Sequence, residues 1–308
     1  MLSYAQIENR PRLLRSFTGL NGQAFEQLLS SFKRAYEEWL NEQDKMRVIP
    51  RQRARGGGRQ AVLADAGDKL LFILFYYKFY PVQEVQGFFF GMGKTQAHQW
   101  LYRLTPLVSK ALGYELQLPE RKAASVEEVL ATCPELSFII DGTERPIERP
   151  KDKQKQKNYY SGKKKKHTLK NLVISETKTK KIKVLSPTVE GKQHDKSLAD
   201  SQAYCYPKGT RLYKDSGFQG YEPKNTRALQ PKKKPRGGTL SDKEKEQNTR
   251  ISKVRIRVEH SIGGAKIYRV VKDTLRHHLE GFADAVMEIA CGLHNLRIDT
   301  RAFNKASV

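Results

Sequence analysis

The segment "ELSFIIDGTERPI", residues 135–147, runs an apolar, β-branched stretch straight into the carboxylate of Asp141. Such a stretch reads as a buried strand, and a buried strand that stops on an ionised side chain needs a reason. Asp followed by Gly is ordinary turn chemistry, which accounts for one such case. A second case lies downstream, where "RLYKD" ends on Asp215 and is followed by "SGFQGY". Adjacent strands ending on acids would set two carboxylates side by side. Such a pair is stable only when protonated or when holding a cation, and a hard divalent ion is its natural partner.

A third acid completes such a site, and Glu259 in "KVRIRVEHSIGGAK" is the best candidate. Ser241 and Glu244 form a capping-box pattern ahead of it, and Ile251, Val254, Val258, Ile262 and Ala265 recur at helical steps. Glu259 lies beside that apolar stripe, near the expected core boundary. The competing reading is an i,i+4 ion pair with Arg255, worth only a few tenths of a kcal/mol.

Around these acids the chain alternates strands and helices. "ELSFIID" (135–141), "HTLKNLVIS" (167–175), "KIKVLSP" (181–187) and "TRLYKDSG" (210–217) read as β-rich runs, and helical spacing returns over 241–268 and 279–298. The region is mixed α/β. Between the first two runs lies "KDKQKQKNYYSGKKKKHTLK", and from Lys151 to Lys183 there are thirteen lysines against two acids, Asp152 and Glu176. A solvated hairpin competes here with a phosphate-tracking surface that includes Lys163, Lys164, Lys165 and Lys166; the chain's candidate metal ligands favour the second.

The N-terminal part is all-helical in pattern. Phe25, Leu28, Leu29, Phe32, Tyr36 and Trp39 recur at three- and four-residue steps, and "RQRARGGGRQ" (51–60) then reads as a mobile basic arm, either a solvated linker or a phosphate contact. Residues 68–108 divide at Pro81 and at Gly91 to Gly93 into three helical pieces. The last piece turns Ala97, Trp100, Leu101 and Leu104 to one face and leaves Lys94, Gln96, His98, Gln99 and Arg103 largely outward. A helix-turn-helix presents such side chains to the major groove, although many small helical bundles share the spacing.

Composition narrows the partners. The chain has 308 residues, 57 Lys plus Arg against 33 Asp plus Glu, and a formal net charge of +24. That balance favours a polyanion, with nucleic acid first. The longest apolar stretch, Leu70 to Tyr77, falls far short of the roughly 20 residues a spanning helix needs, and the N-terminus lacks the apolar core of a signal peptide. Cys133, Cys205 and Cys291 form no Cys-x-x-Cys pair, so neither a disulfide framework nor a zinc ribbon is expected. A soluble, cytoplasmic protein is expected.

Taken in order, Asp141, Asp215 and Glu259 with "DGTERPIERP", "YYSGKKKKHTLK", "GKQHDKSL" and "KDSGFQGY" resemble a DDE insertion-sequence transposase, nearest the bacterial Harbinger-like "DDE superfamily endonuclease" group. The resemblance covers nearly the whole chain and rests on order and spacing, 74 residues between the aspartates and 44 to the glutamate. A final-acid motif Tyr-x2-Arg-x3-Glu-x6-Lys is matched by Arg255, Glu259 and Lys266, with Ser252 in the Tyr position.

The resemblance implies an α/β architecture: an N-terminal helical segment and basic arm over 1–60, an all-α helix-turn-helix domain over 61–115, and an RNase H-like catalytic domain over 130–300. It implies a transposase that binds the ends of an insertion sequence and performs metal-dependent cleavage and strand transfer, working as a homo-oligomer on double-stranded end and target DNA in association with the bacterial nucleoid. Mg²⁺ would be the cofactor, with Mn²⁺ as the alternative. Two ions would be held, Asp141 bridging both and Asp215 and Glu259 holding one each, as in-line phosphoryl displacement requires. Lys94, Gln96, Gln99, Arg103, Lys163 to Lys166, Arg255 and Lys266 would contact DNA. His194 and Asp195 would tune the site. The rival readings are a transposase-derived DNA-binding protein without chemistry and a simple metal-dependent nuclease.

Overall fold

The computed structural model describes residues 1–49, 51–52, 55, 61–235, 237–277 and 279–306. Most of the basic arm over 51–60 lies outside the described residues. The chain forms two compact units. The first comprises Met1–Leu118, Ile267–Val270 and the terminal helix from Ala285 on; the second comprises Pro119–Lys266 and Val271–Asp284.

The first unit is helical: α1 (Pro11–Thr18), α2 (Gly22–Lys45), α3 (Ala66–Phe79), α4 (Gln83–Phe89) and α5 (Lys94–Tyr114). Asn21 caps α2 by accepting the Ala24 N–H at 2.8 Å, and Asp65 caps α3 by accepting that of Asp68 at 2.7 Å. In α3 every residue from Gly67 to Tyr77 is buried, so this helix is a core element rather than an amphipathic one. The helices α3, α4 and α5 are the three pieces anticipated over 68–108, with α5 continuing through Pro106 to Tyr114.

The second unit is mixed α/β. Its sheet contains β1 (Ser137–Pro146), β2 (Tyr160–Ser161), β3 (Lys166–Glu176), β4 (Ile182–Leu185), β5 (Val189–Glu190), β6 (Thr210–Tyr213) and β7 (Thr226–Leu229). The order is β2-β3-β1-β6-β7, with β4 and β5 also paired to β3. The β1/β3 and β3/β4 pairs are antiparallel, and the β1/β6 and β6/β7 pairs are parallel. Its helices are α6 (Val126–Ala131), α7 (Lys153–Tyr159), α8 (Asp195–Gln202) and α9 (Asp242–Ala265). The four-residue α10 (Arg269–Lys272) is divided between the units, and α11 (Phe282–Ala306) belongs to the first from Ala285 on.

Alternation along β1 explains the layering. Phe138 and Ile140 join Leu172, Ile174, Val184 and Leu212 in one cluster with Val126 and Leu130 of α6 and Leu198 and Ala199 of α8. Truncating Phe138 to Ala would cost about 3–5 kcal/mol. Ile139 and Asp141 fall on the opposite pleat, and α9 packs against β1, β3 and β6. The capping box at Ser241 and Glu244 is present.

One sequence expectation needs correction. The strand does not stop at Asp141; it continues to Pro146 because β3 pairs with it antiparallel over that whole length, with Asp141 opposite Val173. What ends is the parallel neighbour, since the β1/β6 ladder closes at Ile139 opposite Tyr213.

Candidate active site

That register answers the question posed by the sequence. Ile139 pairs with Tyr213 as the last rung of the ladder; two residues on, Asp141 stands within β1, and Asp215 stands just past the end of β6, where it caps the turn Ser216–Phe218. The two carboxylates therefore emerge together where β6 leaves the sheet. Each is steadied by the backbone just beyond it: the Gly142 N–H donates to Asp141 Oδ1 at 2.8 Å, and the Gly217 N–H to Asp215 Oδ1 at 2.7 Å. Burial, and secondarily the charge of Asp215, push the Asp141 pKa up to about 6, against the opposing effects of the Gly142 N–H and Arg255.

A third carboxylate joins them. Asp195, the first residue of α8, packs so closely that a Cβ at Gly142 would lie 2.6 Å from its Oδ1, and one at Gly217 would lie 3.0 Å from its Oδ2. Each aspartate of the pair is thus followed, after one or two residues, by a glycine whose missing side chain leaves room for Asp195. Lys170, buried on β3, donates to Asp195 Oδ1 at 3.0 Å and to the Gln193 carbonyl at 2.7 Å, and stands 3.7 Å from Glu144 Oε1. Residues 191–195, Lys163, Lys170, Asp215 and Gly217 are among those bordering a cleft of about 330 Å³ here. The sequence singled out Asp195 only as a tuning residue; the signal for more was the pair of glycines, which the sequence alone explains equally well as turns.

Helix α9 supplies the remaining groups. Arg255 reaches Asp215 Oδ2 at 4.0 Å, and its buried Nε has no hydrogen-bond partner among the described residues, a donor that a phosphate oxygen would satisfy. Lys266 Nζ donates to the Glu144 carbonyl at 3.0 Å, and burial, followed by the charge of Lys164, lowers its pKa to about 8. Glu259 is exposed and makes no hydrogen bond or ion pair among the described residues. The competing reading, an i,i+4 pair of Glu259 with Arg255, is not what forms; Arg255 contacts Asp215 instead. At about 100° per residue, Arg255, Glu259 and Lys266 share one helix face within about 40°, so Glu259 stands between two cations that both reach toward the acids. No group of three or more His, Cys, Asp or Glu among the described residues is spaced to hold a metal ion.

The other anticipated contacts are dispersed. Lys163, Lys164, Lys165 and Lys166 are exposed on the turn joining β2 to β3, where Lys165 adopts φ 54°. On α5, Lys94, Gln96, Gln99 and Arg103 are exposed while Ala97, Trp100, Leu101 and Leu104 are buried, as the spacing predicts. Lys94 pairs with Glu84 at 2.8 Å, and the Arg103 guanidinium lies over Trp100 at 4.7 Å and Trp39 at 5.3 Å. Gln96 and Gln99 make no hydrogen bond among the described residues.

Comparison with known proteins places this arrangement. The model of the DDE superfamily endonuclease family matches residues 140–295, a span that holds Asp141, Asp195, Asp215 and Glu259. The chain is 26% identical over 259 residues to a protein named as the probable transposase of insertion sequence element IS702 from Microchaete diplosiphon, covering 84% of this chain and 90% of that one. It is 25% identical over 233 residues to a protein named as a transposase for insertion sequence element IS112 from Streptomyces albus G, covering 75% and 80%. No solved structure matches.

Proposed function

The chain belongs to the DDE superfamily endonucleases, and on that premise we propose that it is an insertion-sequence transposase which binds the ends of its element and catalyses metal-dependent cleavage and strand transfer. The observation that carries this reading is that the parallel β1/β6 ladder closes at Ile139 and Tyr213, and that two residues beyond this last pair the two chain segments carry Asp141 and Asp215, whose charges act on each other. The sheet order, with three antiparallel strands leading into two parallel ones, supports an RNase H-like domain. The compact α3–α4–α5 arrangement with exposed polar side chains on α5 supports a helix-turn-helix.

The donor set suits a hard divalent cation. Asp141 and Asp215 offer carboxylate oxygens, and the pKa of Asp141 is raised first by burial and then by the charge of Asp215, both of which a cation bound to the ionised carboxylates would offset. Asp141, Asp215 and Glu259 would hold Mg²⁺, with Asp195 beside them. Glu259, exposed on the acid-facing side of α9, would turn inward to complete the set. Once bound, divalent ions polarise the scissile phosphate and lower the pKa of the attacking water or 3′-hydroxyl.

The chain's own cations do the rest. Arg255 on α9 and Lys266 just past its end would orient the phosphate, with the unmade bond of Arg255 Nε turned to a phosphate oxygen. Lys163 and Lys192, at the edge of the cleft, would hold the flanking backbone. Gln96, Gln99 and Arg103 would read the end sequence, and the lysines of the β2–β3 turn would grip phosphates without regard to sequence.

The test is Glu259→Gln, which keeps size and helix context while removing the charge a divalent ion requires. Cleavage and joining of DNA carrying the element's ends, measured with Mg²⁺ and with Mn²⁺, are expected to fall by about two orders of magnitude or more with DNA binding retained. Glu244→Gln, at the cap of the same helix, is the control and should spare catalysis. Equal activity of the Glu259 variant and the wild type would remove Glu259 from the triad. Cleavage without joining would reduce the protein to a nuclease, and absence of both in the wild type would leave a DNA-binding protein.

A further inference from the structure

A second cavity adjoins the acid cleft. It measures about 730 Å³ and is bordered by Arg149, Lys153, Lys157, Lys192, Tyr160 and His167, together with Gln156. Lys192 borders the acid cleft as well, so the two hollows share a wall. Four cations face this one, and no carboxylate borders it among the described residues.

Its aromatic wall is built into the sheet. Tyr160 and His167 are directly paired across the β2/β3 ladder, and their rings meet edge to face with centroids 5.6 Å apart. That contact steadies the tyrosine, yet Tyr160 remains 43% exposed. Other lining residues are braced too, because Arg149 donates to Gln156 Oε1 at 2.8 Å and Gln156 Nε2 donates to the Pro150 carbonyl at 2.8 Å. A solvated lysine-rich hairpin requires neither a braced concavity nor an aromatic pair facing it.

We propose that this cavity receives an unpaired nucleotide of the DNA strand that runs through the acid cleft, with the base stacking on Tyr160 and the flanking phosphates held by Lys192, Arg149 and Lys157. The chemistry fits each part. Every base has a π-face, so an aromatic platform accepts any of them, while clustered cations follow the backbone. The hollow is open rather than enclosed, which suits a strand that passes across it, and its volume is on the scale of small-molecule clefts. An extended DNA strand leaving the acids over Lys192 would meet this hollow next. The proposal rests on the transposase reading for the identity of the strand, but it can be tested without any catalysis.

The experiment measures binding of the full chain, in chelator and without added metal, to a labelled short oligothymidylate and to an abasic phosphodiester of equal length and charge. The wild type should bind the oligothymidylate about tenfold more tightly than the abasic strand, the scale of a single stacked base. Tyr160→Ala should remove that preference while leaving the abasic affinity nearly unchanged. Tyr160→Phe should retain the preference, and Lys192→Ala should weaken both probes alike. Equal affinity of the wild type for the two strands would overturn the proposal. So would an unchanged preference in a Tyr160→Ala protein whose circular dichroism and melting match the wild type. A protein that shows the tyrosine-dependent preference but does not cut end DNA with Mg²⁺ keeps the pocket and loses the transposase reading; one that cuts without the preference loses only the pocket.

Discussion

Asp141 is the residue on which the site turns, and its chemistry has a sign that can be measured. Its pKa rises from 3.8 to about 6 in the folded chain because burial, and then Asp215, disfavour the charged form. The folded state therefore binds this proton more tightly than the unfolded state does, and its contribution favours folding at low pH and is lost as pH climbs from about 4 through about 6. The shift corresponds to about 3 kcal/mol at most. Metal-free Asp141→Asn protein should lack this loss, so melting curves from pH 4 to pH 8 should show the variant gaining on the wild type as pH rises. Parallel pH profiles of the two proteins would mean that Asp141 is not ionised against its surroundings. Divalent cation added above pH 6 should restore stability to the wild type and not to the variant, since the cation replaces the proton as counter-charge.

At the scale of elements, two surfaces divide the labour expected of a DNA-binding chain. Helix α5 buries Ala97, Trp100, Leu101 and Leu104 and exposes Gln96, Gln99 and Arg103, so its outer face can change without disturbing its core. The β2–β3 turn holds Lys163, Lys164 and Lys165, with Lys166 beginning β3, all exposed. Alanine at Gln96 or Gln99 should change which end sequence is preferred, by about 1–3 kcal/mol for a base contact that is lost. Alanine at Lys163 to Lys166 should weaken matched and scrambled DNA alike. Competition binding with the two DNAs checks both expectations, and identical behaviour of the two sets would end the assignment of reading to α5. Arg103 is the least clean of these positions, because its guanidinium already lies over Trp100 and Trp39 and its removal would also take away packing.

For the whole molecule, a net charge of +24 predicts DNA affinity that falls steeply between low and physiological salt through counterion release. A binding constant flat over that range, read by titration at several salt concentrations, would remove the electrostatic part of this account. The same scale shows what was legible from residues alone. The pattern of apolar steps located α2, α5, the strands β1, β3, β4 and β6, the helix α9 with its Ser241 cap, and α11, because burial of one face imposes a period that sequence carries directly. The all-buried α3 has no such period, and α3 and α4 were set apart instead by Pro81 and by Gly91 to Gly93. The apolar pattern missed the two-residue strands β2 and β5 and the short helices α6, α7 and α8, which are too brief to show a period, and also β7, which is as long as β4 and β6 but has no buried residue to mark it. The two acids that follow apolar runs, the charge balance and the order of motifs were likewise written in the chain. The extension of β1 to Pro146 was not, since only the partner β3 decides how long a strand is paired. Nor was the placement of Asp195 against Gly142 and Gly217, the turning of Arg255 toward Asp215 and away from Glu259, or the hollow beside Tyr160. Each depends on side chains far apart in sequence meeting across a sheet or a helix face. Sequence determined which groups this protein has and on which local face they stand; tertiary packing alone decided which of them meet.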